Sequence, residues 1–174
     1  LKNGLVGHWT FDGKDMYENV GDISGNNHDG QLFGFTSTTT VIGKIGQGLE
    51  FNGSSDYVLV NQTGEDFDFP GQSYSLSTWF KSRDGTAQED IISKREAGTG
   101  YELRLDDSGS GAIEFLGMTD NSNYLRKNTS TTYNDEDWHH VVAVVSTSDV
   151  DIYVNGSLQA LTDTGLGTYT GTAN

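Results

Sequence analysis

Short runs of alternating apolar and polar residues recur along the chain, and clusters of Gly, Asn, Asp and Ser separate them. The clearest run is residues 73–81, which read SYSLSTWFK, and residues 101–106 follow the same pattern. Alternation with a period of two places successive side chains on opposite faces of a β-strand. Because no amphipathic helix of useful length interrupts them, about a dozen short strands predict a sandwich or barrel of antiparallel strands.

Three segments refine this prediction. Residues 5–11 are the first strand-like run. Residues 138–145 read WHHVVAVV, which is apolar on both faces and predicts a central strand. Residues 150–154 run directly into Asn155-Gly156, the strongest short hairpin signal in the chain. We therefore expect a hairpin there, with residues 158–161 as the returning strand.

Length, charge and cysteine content limit the possible classes of protein. A chain of 174 residues predicts one domain, 1–174. A net charge of −15 repels phosphate backbones and anionic membranes, so we expect no nucleic-acid partner. No apolar run approaches the length of a membrane span, so we expect no membrane insertion. Cysteine is absent, which excludes disulfides, a thiol nucleophile and thiolate metal ligands. The 11% of aromatic residues predict a core rich in Tyr, Phe and Trp.

Four segments, in this order, resemble the concanavalin A-like lectin/glucanase superfamily, and in particular its bacterial laminin-G-like (LamG-like) branch. They read GLVGHWTFD with DISGNNHDG, GQGLEFNG with DYV, YSLSTWFK, and WHHVVAV with DIYVNG, and the resemblance covers residues 4–160. The resemblance implies an all-β fold: an antiparallel two-sheet β-sandwich with jelly-roll connections, secreted or on the cell surface. It implies far less about the ligand, because one fold hosts many functions.

One departure from the family concerns the closing strand. Family members usually end with a strand that reads like Gly-x-Ile-Asp-Asp-Val, and Asn174 precedes any such segment here. Either the chain is truncated or another chain completes the sheet. We therefore expect an exposed sheet edge that invites a protein partner or self-association.

The excess of acidic residues has two interpretations. One is solubility in a salty extracellular medium, and the other is that a few carboxylates hold Ca²⁺, which takes oxygen ligands only. The family resemblance implies a structural Ca²⁺ near the first strand, for which the candidates are Asp12, Asp22, Asn26 and Asp29. The alternative is a solvated loop in which these residues cap their own turns.

Two groups of residues are candidates for glycan binding, because sugar rings pack on aromatic side chains while polar side chains bond the hydroxyls. The first is Trp79, on the polar side of its strand; the alternative that we favour for it is a core residue covered by a loop. The second is a loop cluster of Tyr124 with Asn121, Asn123 and Arg126, and its alternative is an ordinary exposed loop.

Signs of catalysis are weak. Glucanases of this superfamily carry Glu-x-Asp-x-x-Glu or a similar motif, which is absent here. Glu102 and Asp106 share a strand face but lie about 13 Å apart, with Arg104 between them, so we expect a solvated charged face. His139 and His140 point to opposite faces and cannot readily ligate one metal together. His140 resembles the core histidine of the family.

The sequence thus predicts a non-catalytic carbohydrate-binding or adhesion module of an exported protein. A structural or protein-interaction module of an extracellular assembly is the alternative. A glycoside hydrolase is the weaker alternative, which a close pair of carboxylates in a deep cleft would revive.

Overall fold

The computed structural model describes residues 3–16, 19–36, 40–60, 66–83, 88–106 and 108–169. Within these ranges the regular structure is thirteen β-strands and one 3-10 turn, Gly13–Asp15. The strands are β1 (Gly30–Phe33), β2 (Thr40–Ile42), β3 (Gln47–Leu49), β4 (Tyr57–Val60), β5 (Tyr74–Phe80), β6 (Glu89–Glu96), β7 (Thr99–Leu105), β8 (Ala112–Asp120), β9 (Asn123–Thr132), β10 (His139–Val145), β11 (Val150–Val154), β12 (Ser157–Leu158) and β13 (Leu161–Asp163).

The chain divides into two compact units, Leu1–Asp66 and Phe67–Asn174. The first unit holds two small antiparallel sheets, β1 with β4 and β2 with β3. The strand predicted for residues 5–11 is reduced to an isolated bridge between Trp9 and Asp22. Its backbone leaves the extended conformation at Phe11, which has a positive φ of 58°.

The second unit is a two-sheet sandwich. A four-stranded sheet has the order β12-β11-β10-β5, and a five-stranded sheet has the order β13-β9-β8-β7-β6. All pairs are antiparallel, and one hydrophobic cluster takes buried residues from both sheets. Phe115 and Leu103 from one sheet and Ile152 from the other are fully buried. The predicted fold class, an all-β antiparallel sandwich, is confirmed.

The strand patterns account for this arrangement. In β5 the apolar positions Tyr74 and Phe80 are buried, whereas Ser77 and Trp79 alternate with them and face outward. The strand predicted as central, β10, lies between β5 and β11. β5 places its apolar positions in the core, because their burial removes the most apolar surface from water, and β10 places Val141, Ala143 and Val145 there.

The predicted hairpin is present, but its returning strand is shorter than expected. Asn155 and Gly156 both have positive φ, 50° and 79°, as a two-residue turn of the hairpin type requires. The chain then forms only two residues of β12, crosses to the other sheet and pairs as β13 with β9. Among the described residues, no helix has the length and apolarity needed to cross a membrane.

Candidate functional site

The outward side of the four-stranded sheet combines aromatic, apolar and hydroxyl side chains. We call it the aromatic face, and it consists of Ser75, Ser77, Trp79, His140, Val142, Val144, Asp151, Tyr153 and Leu158. The members on β5, β10 and β11 alternate along their strands with core residues, so they lie on the side opposite to the core. Leu158 joins them as the cross-strand partner of Tyr153. Exposed apolar groups at its members Trp79, Val144 and Leu158 distinguish this surface from an ordinary solvated face.

Trp79 is the main aromatic group of this face. Its side chain is 37% exposed, and its ring lies against the His140 imidazole with a centroid distance of 5.0 Å. The two residues are direct cross-strand partners between β5 and β10. The interpretation of Trp79 as a core residue is therefore wrong. Alternate side chains of β5, among them Tyr74 and Phe80, point into the core, and Trp79 points to the other side. Its role in glycan binding stays a prediction.

His140 supplies a polar group beside the indole. Its Nε2 shares a 2.9 Å hydrogen bond with the Ser77 hydroxyl. We expected His140 to be the core histidine, and this is wrong: His139 is the buried one. His139 pairs with Phe80, a core residue of β5, and is therefore on the core side of β10, where it packs against Tyr133. His140, the next residue, faces outward.

Tyr153 is a second aromatic residue on this face, and the sequence reasoning missed it as a candidate. It pairs with Val142 of β10 on one side and with Leu158 of β12 on the other. The signal was available, because Tyr153 occupies the polar phase of the alternating segment that precedes the Asn155-Gly156 turn. Its side chain is partly exposed.

The Tyr124 cluster does not lie in a loop as predicted. Tyr124, Asn123 and Arg126 belong to β9, and Asn121 lies in the turn before it. The amide of Asn123 donates to both carboxylate oxygens of Asp120, and its Oδ1 accepts from the Thr168 amide. Asn123 thus closes a turn, while Tyr124 and Arg126 share one face of the strand.

Arg126 joins a buried charge network on that face. Glu114, whose side chain is 0% exposed, accepts hydrogen bonds from Nε of Arg126 and Nε of Arg104, both at 2.8 Å. It also accepts one from the Asn128 amide at 3.0 Å. Arg104 donates through Nη1 to Glu102 at 2.8 Å. The positive charges of the guanidinium groups compensate the negative charges of the carboxylates, as burial of charged groups requires.

The expectation of a solvated charged face at Glu102, Arg104 and Asp106 is therefore wrong, because all three are buried. Arg104 binds Glu102 and Glu114 and does not neutralise Asp106 as we expected. Asp106 instead accepts from Ser108 and Ser110. Burial acts to raise the pKa of Asp106, but these hydrogen bonds outweigh it and lower the pKa.

The predicted calcium loop is held together by its own hydrogen bonds. The Asp22 side chain is 0% exposed and accepts from the amides of His8, Ser24 and His28 and from the Ser24 hydroxyl, at 2.7–3.0 Å. Burial acts to raise the pKa of Asp22, but hydrogen bonds from Ser24, His8 and His28 outweigh it and lower the pKa.

The other predicted calcium ligands are also engaged. Asp29 accepts from the Asp22 amide, and the Asn26 amide donates to the carbonyls of Leu5 and Val6. Asp12 accepts from the Gln47 amide at 2.9 Å. In the described ranges, no group of three or more His, Asp and Glu residues is arranged to hold a metal. These hydrogen bonds fit the alternative interpretation, in which the residues form their own turns, and the calcium hypothesis is left to measurement.

A shallow groove beside this loop is lined by Gly4, Leu5, Val6, Asn26, His28 and Asp66. The His28 ring is buried and donates through Nδ1 to the Val6 carbonyl. Its Nε2 lies 3.2 Å from Asp66, whose side chain is 63% exposed. The sequence reasoning singled out neither residue, because they are 38 positions apart in the chain.

Comparison with known proteins gives a family and a fold. Residues 52–174 match the family model of the concanavalin A-like lectin/glucanases superfamily. No curated protein matches the chain. Among solved structures, the chain is similar to domain 4 of AbnA, a GH43 extracellular arabinanase from Geobacillus stearothermophilus solved in complex with arabinotriose. The identity is 20% and the TM-score 0.66, over 97% of this chain and 81% of that chain.

A second similar structure comes from botulinum neurotoxin type C, whose cell entry depends on interaction with two ganglioside molecules. The identity is 17% and the TM-score 0.56, over 88% of this chain and 40% of that chain. At these identities the likeness is one of fold.

Proposed function

The chain belongs to the concanavalin A-like lectin/glucanase superfamily, and we propose that it is a non-catalytic carbohydrate-binding module of an exported protein. The observation that carries the proposal is the aromatic face, where the partly exposed Trp79 indole lies beside His140 and the Ser77 hydroxyl. A sugar ring would pack its C–H groups on the indole, and its hydroxyls would bond the neighbouring polar atoms.

Related folds lend support to a glycan ligand. The similar arabinanase domain was solved with arabinotriose, and the similar neurotoxin interacts with gangliosides. The strongly acidic composition suits a salty extracellular medium, which supports the exported location that the proposal includes.

The buried carboxylates favour binding over hydrolysis. A glycosidase needs two carboxyl groups on either side of the scissile bond, about 5–9.5 Å apart, and one of them must deliver a proton. Glu102 and Glu114 share Arg104, and Glu114 also binds Arg126 and Asn128. Carboxylates so fully engaged with guanidinium and amide donors suit a structural network, which supports a module without catalysis.

The test is titration calorimetry of a panel of neutral oligosaccharides against the wild type and Trp79→Ala. We expect Trp79→Ala to weaken binding at least about tenfold, because loss of one stacked ring removes about 1.4 kcal/mol. Tyr57→Ala is the matched control, since Tyr57 is an aromatic residue of the first unit with 50% exposure. Thermal unfolding of each variant confirms that it is folded.

Equal binding by the wild type and Trp79→Ala would reject the aromatic face as the site. No binding to any glycan would reject the function itself. In that case, capture of a protein partner by the wild type would favour the second candidate, a protein-interaction module.

A further inference from the structure

The aromatic face carries more than one place for a sugar ring. Four of its side chains form an apolar band across the sheet: Trp79, Val142, Tyr153 and Leu158. Val142, Tyr153 and Leu158 lie in one cross-strand row, and Ser77 ends that row on β5. Trp79 lies two residues further along β5, so the band runs obliquely from Trp79 to Leu158.

The length of the band can be obtained from sheet geometry. Trp79 and Tyr153 are separated by two strand spacings and by two residues along the strand, which places their Cα atoms about 12 Å apart. An extended oligosaccharide can span this distance and place a separate sugar ring on each side chain. Leu158, with 59% exposure, continues the apolar surface beyond Tyr153 to the edge strand β12.

The charges of this face limit the kind of sugar. Within the strands that form it, its residues include one carboxylate, Asp151, and neither Lys nor Arg; one exposed cation, Lys81, follows β5 in the phase of Trp79. Acidic sugars are held mainly through charge-assisted hydrogen bonds from guanidinium or ammonium groups. The net charge of −15 adds a long-range repulsion toward anions. A neutral glycan therefore matches the face better than a uronate, sulfate or sialate.

We propose that the aromatic face binds an extended neutral oligosaccharide that lies across the strands, with Trp79 and Tyr153 as two separate subsites. This inference rests on the proposed function and adds to it the class of ligand, its direction across the sheet and Tyr153 as a specificity-determining residue. Val142 lies between the two aromatic residues and provides the apolar floor under the linkage between sugar units.

The experiment is calorimetric titration with linear neutral xylo-, cello- and arabino-oligosaccharides from dimer to hexamer, and with oligogalacturonides of equal length. We expect affinity to increase with chain length until both subsites are filled, and neutral chains to bind at least tenfold more tightly than acidic ones. Tyr153→Ala should weaken hexamer binding about tenfold and leave dimer binding nearly unchanged, because the dimer reaches the Trp79 subsite alone.

Tyr153→Phe is the matched variant, which keeps the ring and should keep the hexamer affinity within about threefold. It also guards against an effect of Tyr153→Ala on folding. Equal or tighter binding of acidic chains, no dependence on length, or an unchanged hexamer affinity in Tyr153→Ala would overturn this inference and leave glycan binding intact. Failure of every oligosaccharide to bind would overturn the proposed function together with it.

Discussion

Asp22 shows how one carboxylate organises a loop that the sequence marks as a metal site. Its two oxygens accept three backbone amides and one hydroxyl, and they bind residues that are far apart in the sequence, His8 and His28. The loop that reads DISGNNHDG is thus built around an internal anion. This explains the concentration of Asp, Asn and Ser there without a cation.

The substitution Asp22→Asn tests this description. Each oxygen of Asp22 accepts two hydrogen bonds, and the NH₂ group of asparagine would replace one oxygen with a donor that faces two other donors. We therefore expect the free energy of unfolding to fall by about 1–3 kcal/mol at pH 7. Urea denaturation provides the measurement. Asp151→Asn, at an exposed carboxylate, is the control and should change stability by less than about 0.5 kcal/mol.

The pH dependence of the same variant follows from the lowered pKa of Asp22. A carboxyl group whose folded-state pKa lies below its usual value of about 3.9 stabilises the fold above that value, and this contribution is lost as the pH falls through the folded-state pKa. The stability difference between wild type and Asp22→Asn should therefore shrink as the pH drops below about 4. A constant difference from pH 7 to pH 2.5 would contradict the assignment.

At the scale of elements, the hairpin between β11 and β12 is fastened to β10 by the side chain of Asn155. Its Oδ1 accepts from the His140 amide at 3.0 Å, and its Nδ2 donates to Nδ1 of His139 at 3.1 Å. His139 then donates through Nε2 to Asp135 at 2.9 Å. The turn residue therefore fixes the orientation of the buried imidazole as well as the backbone of its own hairpin.

Two variants separate these contributions. Asn155→Gly keeps the left-handed backbone and removes both side-chain hydrogen bonds, so we expect a loss of about 1–2 kcal/mol. Asn155→Ala adds the strain of a positive φ and should cost about 1 kcal/mol more. Chemical denaturation measures both losses. If Asn155→Ala and Asn155→Gly had the same free energy of unfolding, backbone strain would play no part in this turn.

The elements also show how far the sequence reasoning reached. Alternation identified β5 and β7, and a run that is apolar on both faces identified the central position of β10, because both patterns are local properties of the chain. Alternation could not show that the polar side of β7 is buried. The burial of that side depends on partners from β8 and β9. The register of the sheet places Glu114 opposite Arg104 and brings Arg126 within reach of Glu114. Tyr124 was likewise assigned to a loop because charge-rich, Asn-rich sequence also suits turns.

For the molecule as a whole, the calcium hypothesis has a simple measurement. We expect the thermal midpoint to stay the same, within error, when millimolar Ca²⁺ or EDTA is added, because the loop carboxylates already accept protein donors. A ligand that binds only the folded state would raise stability by about 2.7 kcal/mol at a hundred times its dissociation constant. An upward shift with Ca²⁺ that EDTA reverses would show that the folded protein binds the ion.

The global prediction of an antiparallel sandwich succeeded because many weak local signals agree, each consistent with the same fold. The candidate site was predicted less completely. Trp79 was named as a glycan-binding residue, but its exposure and its pairing with His140 depend on which phase of β5 and β10 enters the core. Tyr153 joins the same face from a strand more than 70 residues further along the chain.

The most direct test of the account is nuclear magnetic resonance of the three indole N–H groups during titration with arabinotriose, xylotriose and cellotriose in turn. The chain has three tryptophans, and Trp79→Phe assigns the signal of the one on the aromatic face. We predict that a binding sugar shifts the Trp79 signal and leaves that of Trp9, which belongs to the first unit, in place. A bound sugar that shifts the Trp9 signal instead, or that leaves all three signals unmoved, would contradict the aromatic face as the binding site.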